Sequence, residues 1–405
     1  MGINKIVKIN KTRLLFFLLI IPFFPVQSIN MLSTYNQCWT ILYNALAIMR
    51  LVIAASSIAI FVIKKKKPNL LTWGIVGTEA MILLACAKNG SLTLQFSLTM
   101  CMAPIGFAML CQEIDDKSEE AFLKASISFF GVLCFFGVVS TFLFPNGINH
   151  SEQKQFAIWF LGSKNAGYFY YSQYLFLLCF DAMKNRKQIS SKMILYALLF
   201  VASTIICRSS NGTLMLLIIL FGMISLKYKG VWRKIFRPRT ILAMVIILAL
   251  AIPTFSSGAF DWAFKIIGRT SDLSMRTYIW DSAVALIKER PIFGNGKDGD
   301  VHLFGGQTHA HNFYLDLAVK YGIITLVIMI ITIVLITLSI RKSRNKELVI
   351  VGSLFLLTLL VHGLFDVTSL FYMILVLHYE LKISSSYDKT TSESILREGF
   401  NYVHG

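Results

Sequence analysis

Charge is scarce in this chain, and acid is scarcer than base. Charged residues make up 15% of the 405, with 21 Asp and Glu against 39 Lys and Arg. A soluble domain carries roughly a quarter charged residues, so a water-soluble globular enzyme is not the class to start from. The seven cysteines show no CxxC pair and no disulfide spacing, and most lie inside apolar runs. They read as small core hydrophobes, which excludes a disulfide-framed secreted fold. Short segments of alternating hydrophobicity are missing, and with them the signature of a membrane β-barrel. Gly294-Asn-Gly296 after Pro291 is a turn signal. It lacks the preceding strand and following helix of a dinucleotide-binding loop.

What the chain has instead is grease. Apolar residues reach 56% and mean hydropathy is +0.65. Runs of about 20 apolar residues recur from end to end, the length that spans a bilayer. In lipid each backbone amide must be satisfied within its own segment, so the runs are expected to be helices. The expected fold class is all-α: a polytopic membrane protein of about twelve transmembrane helices. The spans lie near 14–30, 39–63, 70–87, 91–112, 121–144, 166–182, 192–207, 212–226, 240–256, 312–340, 347–365 and 368–382. Residues 1–383 form one membrane domain, and 384–405 a polar, Ser- and Thr-rich flexible tail. The basic N-terminus before Leu14 resembles a signal peptide. Without a convincing small-residue cleavage site it reads as a retained first helix, broken or tilted near Pro22 and Pro25.

The net charge of +18 could suggest nucleic acid. Its distribution gives another cause. Basic clusters at Lys64–Lys67, Lys184–Lys192, Lys227–Arg239 and Arg341–Lys346 all follow even-numbered spans, on the side of the basic N-terminus. That side is cytoplasmic by the positive-inside rule, and no nucleic-acid partner is implied. The acidic connection Glu113–Lys124 weighs little in the rule. Both termini then face the cytoplasm. The odd connections face outward, including 145–165, Arg208–Gly212 and the long loop 257–311 between spans 9 and 10.

The unusual polar residues converge on that outer face. Arg208 sits in a tight turn between two spans. A snorkelling anchor would explain it, yet no positive-inside logic calls for an outside arginine, and ionisable groups at a membrane boundary are site candidates. Arg269 and Arg276 lie seven residues apart and would share a helix face with Trp280 and Ile287. Guanidinium forks suit phosphate oxygens. The alternative is an amphipathic helix on anionic lipid. Arg290, after Lys288 and Glu289, reads as part of a solvated charge run. His309 and His311 precede Asn312 and a long apolar run. Asn312 fits a helix cap, and a neutral imidazole suits a general base near pH 7. His302, His309, His311, Asp298 and Asp300 match no standard metal spacing, so neither a metal nor another cofactor is expected. Lys164 and Asn165 could meet an anionic ligand, and His362 and Asp366 could act or simply pair with each other. Asp316 and Lys320 read as an ordinary i, i+4 ion pair, and Tyr321-Gly322 as a place where a neighbouring helix comes close.

Outward arginines beside a histidine at the bilayer surface suit an anionic lipid headgroup, and a lipid diphosphate is the natural choice. Cations neutralise the departing diphosphate. His311 would take the proton of a sugar hydroxyl as that hydroxyl attacks the anomeric carbon from the opposite side, inverting its configuration.

The ordered set Arg208, Gly268-Arg269, Arg276, Trp280, Pro291, Gly294-Asn-Gly296, His309-Ala-His311-Asn312 and Gly322 resembles the O-antigen ligase and polymerase family, over about residues 200–340. Cys207 departs from the serine that often precedes the family's first arginine. The resemblance implies His311 as the base and Arg208 and Arg276 as diphosphate ligands, with Arg269, His309 and Asn312 also in the substrate site. It implies a multi-pass protein of the bacterial inner or plasma membrane with an external, periplasmic active site. Donor and acceptor would both be glycans on a polyprenyl diphosphate carrier. Membrane lipids, a flippase and a chain-length regulator are the expected partners. A surface-polysaccharide polymerase (O-antigen, capsule or exopolysaccharide) is favoured over an O-antigen ligase that transfers the glycan to a lipopolysaccharide core. A lipid-linked oligosaccharide flippase is the rival of another class. It would show paired repeats and mid-membrane polar sites, and neither is visible.

Overall fold

The computed structural model describes residues 11–149, 157–229, 235–255, 276–297, 301–367 and 369–384. These are helical, with only two isolated β-bridges among them, Trp159–Gly162 and Leu303–Gln307. The helices are α1 (Lys11–Ile20), α2 (Gln27–Ser33), α3 (Gln37–Ile63), α4 (Leu70–Lys88), α5 (Leu94–Glu113), α6 (Asp116–Leu143), α7 (Ala166–Lys184) and α8 (Ser191–Ile206). They continue with α9 (Ser210–Lys227), α10 (Pro238–Phe255), α11 (Arg276–Glu289), α12 (Phe313–Tyr321), α13 (Ile323–Ser339), α14 (Lys346–Phe365) and α15 (370–384). Side-chain caps mark many starts. Asn36, Asn69, Asp115, Ser190 and Asn345 each accept a backbone N–H of the first turn, satisfying a donor the helix cannot.

Six helices among the described residues are long and apolar enough to cross a membrane: α3, α4, α5, α6, α9 and α14. A seventh results if α1 and α2 count as one span. The protein is therefore a multi-pass, all-helical membrane protein. Several of the twelve runs seen in sequence are shorter: α8 has 16 residues and α13 has 17. The first run bends by 47° between Lys11–Phe23 and Gln27–Ser33. The break falls at the prolines, and Tyr170 OH donates to the stranded Pro25 carbonyl at 2.7 Å.

The run expected as a single span over 312–340 is two helices. Gly322 adopts φ 87° and ψ 164° and separates α12 from α13. What comes close there is a turn and not a helix. A Cβ on Gly322 would lie 1.9 Å from the Ile292 carbonyl oxygen, and one on Gly294 (φ 58°) 2.4 Å from the Lys320 oxygen. Backbone bonds from Asn295 N to Val319 O, Gly296 N to Lys320 O and Ile323 N to Pro291 O (2.8–2.9 Å) stitch the turn to the break. The Pro291–Gly296 turn thus satisfies the carbonyls that the broken helix leaves open. Gly322→Ala should destabilise the protein by on the order of 3 kcal/mol or more, through a forbidden φ and a backbone overlap. Thermal unfolding in detergent reads this; an unchanged midpoint would mean the break relaxes freely.

The chain divides into two compact units, residues 1–65 with 109–220 and residues 66–108 with 221–405. In the first, α1 packs on α6 through edge-to-face pairs Phe16–Phe122 and Phe17–Phe129, and α7 packs against both α6 and α8. Its core is aromatic, with Phe23, Phe122, Phe130, Tyr168, Tyr171 and Phe176 fully buried. A buried polar chain crosses it: Tyr171 OH to Ser203 Oγ at 2.9 Å and Ser203 Oγ to Thr141 Oγ1 at 3.1 Å. In the second, α14 is buried all round, as its uniform hydrophobicity requires. Gly74 on α4 lets Thr332 of α13 approach. The cysteines are free; six are buried and Cys38 is exposed.

Candidate functional site

The second unit places its site residues on one small core. Ile279 and Ala283 of α11, Val301, Leu303 and Ala310 of the following loop, and Val319 of α12 bury together. Arg276 and Trp280 lie one turn apart on α11. Trp280 is buried and Arg276 half-buried. Their face therefore packs on protein, not on a lipid surface.

Ala310 is held from both sides. Its carbonyl accepts the Trp280 indole N–H at 2.9 Å, and its N–H donates to Asp316 Oδ1 at 2.9 Å. The flanking histidines are thereby set by backbone bonds. His311 has φ 48°. The other non-glycine residues with positive φ among those described (Lys65, Arg186, Arg208 and Lys229) directly follow helix ends, where the left-handed turn is a common terminator. His311 instead precedes a helix start. Such a conformation costs about 1–2 kcal/mol for a side chain with a Cβ.

Asn312 caps α12: its Oδ1 accepts the N–H groups of Tyr314 (3.0 Å) and Leu315 (3.1 Å). It is fully buried, and its amide nitrogen has no hydrogen-bond partner among the described residues. Tyr314 OH donates to Leu360 O at 2.9 Å, tying α12 to α14. The C-terminal end of α14 receives Arg276, which donates to the Phe365 carbonyl. A cation at a helix C-terminus is favourable. Asp366, the C-cap of α14, is near enough to act electrostatically on His311. Burial pushes the His311 imidazolium below its ordinary range. The Arg276 charge pushes the same way, against the carboxylates of Asp366 and Asp316. His311 is accordingly the neutral, proton-accepting form at pH 7.

The Asp316–Lys320 pair is more than an ordinary surface ion pair. Both residues are buried, with Lys320 Nζ 2.5 Å from Asp316 Oδ2 and 3.0 Å from His309 Nδ1. An ammonium only donates, so His309 Nδ1 accepts and its proton sits on Nε2. The longer 4.0 Å approach of His309 Nδ1 to Asp316 Oδ1 is secondary to this bond. His309 is thus a hydrogen-bond donor at its outer nitrogen. The sequence hid this because spacing alone does not say which face of α12 is buried. An acid and a base embedded in an otherwise apolar run were the available signal. Lys320→Met should cost about 3 kcal/mol or more by stranding a buried carboxylate. The double change Asp316→Asn with Lys320→Met should restore most of the thermal stability, since Asn keeps the acceptor for Ala310. Equal destabilisation of single and double variants would sink the pairing argument.

Arg208 belongs to the first unit. It holds φ 57° just past α8, with Arg208 N to Ile205 O and Ser209 N to Thr204 O bonds, each 2.9 Å, the pattern of a helix C-terminal motif that usually takes glycine. Asn165 is brought to this turn, accepting Ser209 Oγ at 2.9 Å. An open groove of about 360 Å³ is lined by Arg208, Ser209, Ser210 and Thr213 with Ile205, Leu214 and Leu217. Lys164 lines a separate cavity of about 10 Å³, room for one water at most. Cys207 points into the core, 3.7 Å from Thr141 Oγ1. Its exchange for serine is therefore a packing matter.

Arg269 lies outside the described residues, as do Asp298 and Asp300 and the tail from 385. No three of His, Cys, Asp and Glu among the described residues converge to hold a metal ion. Arg290, expected as part of a solvated charge run, donates to Asn89 Oδ1 at 2.9 Å, and Asn89 in turn donates to the Gly294 carbonyl. It supports the turn that clamps the helix break. His362 is fully buried one turn before Asp366.

No curated protein and no solved structure matches the chain. A family model does, over residues 193–330, and its description is O-Antigen ligase. The match runs from α8 into α13 and takes in Arg208, Arg276, His309, His311 and Asn312. Over that segment, about a third of its length, the chain is similar to the O-antigen ligase family.

Proposed function

We propose that the protein is a bacterial surface-polysaccharide polymerase, an inverting glycosyltransferase that uses a lipid-diphosphate-linked donor. The observation that carries this reading is His311, half-buried and held by a strained backbone directly before the α12 cap, with its pKa lowered by burial and by the Arg276 charge. An acceptor hydroxyl gives its proton to the His311 imidazole while its oxygen bonds to the anomeric carbon. The bond from that carbon to the diphosphate breaks, and the electron pair leaves with the diphosphate oxygen. Arg276 meets the developing charge as a bidentate cation; Arg208 and Arg269 are each assigned to diphosphate binding. His309 donates from Nε2, and Asn312, as the cap of α12, fixes the backbone next to His311 within the substrate site. The apolar wall of the Arg208 groove suits the carrier's first prenyl units. In this reading the site faces the periplasmic side of the cell membrane, where lipid-linked units would arrive and a flippase and chain-length regulator would act.

The description of the matching family favours a second reading, ligation to a lipopolysaccharide core. The purified chain in proteoliposomes, given lipid-linked repeat units, distinguishes them. Longer lipid-linked glycans mark a polymerase. Transfer only when lipopolysaccharide core is added marks a ligase, and no transfer to either acceptor overturns both. Cysteine labelling that placed residues 276–311 inside the cell would also end the proposal.

A further inference from the structure

Two aromatic rings stand exposed on the core that carries the histidines. Tyr278 and Phe304 stack with centroids 5.2 Å apart and planes 28° from parallel. They are 53% and 44% exposed, while their chain neighbours Ile279 and Leu303 are buried. Neither ring is loosely held. The Phe304 N–H donates to Ser282 Oγ on α11 at 3.0 Å, and the Leu303–Gln307 bridge closes the turn. At its tip Gly305 and Gly306 take positive φ, and a Cβ on either would meet nothing within 4 Å. The approach to the rings is open.

The surroundings say what such a surface is for. The exposed stripe of α11 that begins at Tyr278 continues through Asp281, Ala285 and Lys288. His302 and Gln307 are exposed in the loop that carries Phe304. A flat π face with exposed Asp281, His302 and Gln307 close by in the chain is a poor lipid anchor, because these are polar groups and Asp281 repels anionic headgroups. It matches a pyranose ring. The C–H face of a sugar lies on the electron-rich ring face, and its equatorial hydroxyls reach for polar groups.

We propose that Tyr278 and Phe304 form a stacking platform for a saccharide ring of the glycan, with Asp281, His302 and Gln307 taking its hydroxyls. The proposal rests on the glycan-transfer reading above. Ile279 and Leu303, the neighbours of the two rings, share a core with Ala310, which separates His309 from His311. The platform and the histidines are therefore anchored to one core. A sugar seated on the rings is held at a fixed offset from the base, which suits a growing or incoming chain better than a free sugar.

The test uses the full-length chain in detergent and, as probe, the water-soluble oligosaccharide released by mild acid from the source cell's surface glycan. Saturation-transfer NMR compares the natural protein, Tyr278→Leu with Phe304→Leu, and His311→Ala. Leucine keeps most of the apolar area and removes the aromatic faces, and at Tyr278 the phenol hydroxyl with them. The natural protein and His311→Ala should bind alike, and the leucine pair should bind about tenfold more weakly. In elongation assays the pair should raise the acceptor KM far more than it lowers kcat. Unchanged binding by the leucine pair, or no binding by the natural protein, overturns the platform and leaves the transfer reading to its own assay. Glycan binding alongside normal elongation by His311→Ala upholds the platform and removes the base.

Discussion

His311→Ala should abolish long glycan chains while the protein still reaches the membrane. The side chain is half-buried, and its substitution leaves Trp280–Ala310–Asp316 and the Asn312 cap intact. Folding should therefore survive. Alanine also relieves nothing essential in the packing, because the residue's left-handed backbone is set by its neighbours. Loss of a positioned general base removes about 10²–10⁴-fold in rate. Single lipid-linked units should accumulate in place of a ladder on gels. The pH profile carries the same assignment with a definite sign. The base must be deprotonated, so activity falls as pH drops through the His311 pKa. Burial and Arg276 lower that pKa, so the acid limb should sit below the ordinary histidine range near 6.5. Whatever residual rate the variant keeps should lack that limb. A normal ladder from a well-expressed His311→Ala protein would refute the base assignment.

Arg276→Lys should be nearly as severe although it conserves charge. The guanidinium of Arg276 already spans two tasks: it donates to the Phe365 carbonyl at the end of α14 and lowers the His311 pKa. A diphosphate would be met by the same planar group. Lysine is a point charge with no fixed fork and cannot bond a carbonyl and clasp two phosphate oxygens in set directions. Removing one such directed stabiliser costs on the order of 10²–10³-fold in kcat. Elongation kinetics should show that loss in kcat with a smaller change in donor KM. Near-full activity in the lysine variant would reduce Arg276 to a helix-end anchor.

Much of the architecture could be read from one dimension because the bilayer is a simple solvent. Long apolar runs must be helices wherever they occur, and the prolines at 22 and 25 mark the bend between α1 and α2. The site was less legible. Asn312 announced itself as a cap through its place before an apolar run. The pair Asp316 and Lys320 looked like surface chemistry, because sequence spacing reports that two residues are neighbours and not that both are buried against His309. The glycine at 322 was visible as a place of close approach, yet its partner, the Pro291–Phe293 backbone, comes from 30 residues upstream and leaves no local trace.

By itself the amino-acid order determined an all-helical membrane protein, its family resemblance and the polar segment in which arginines and histidines gather. Periodicity and composition act locally, and lipid punishes every alternative. Only the tertiary structure decided that span 10 is two helices, that Ala310 is pinned from both sides, and that an exposed ring pair shares its core. Those facts depend on which distant backbone groups satisfy one another, and that is settled by packing in three dimensions.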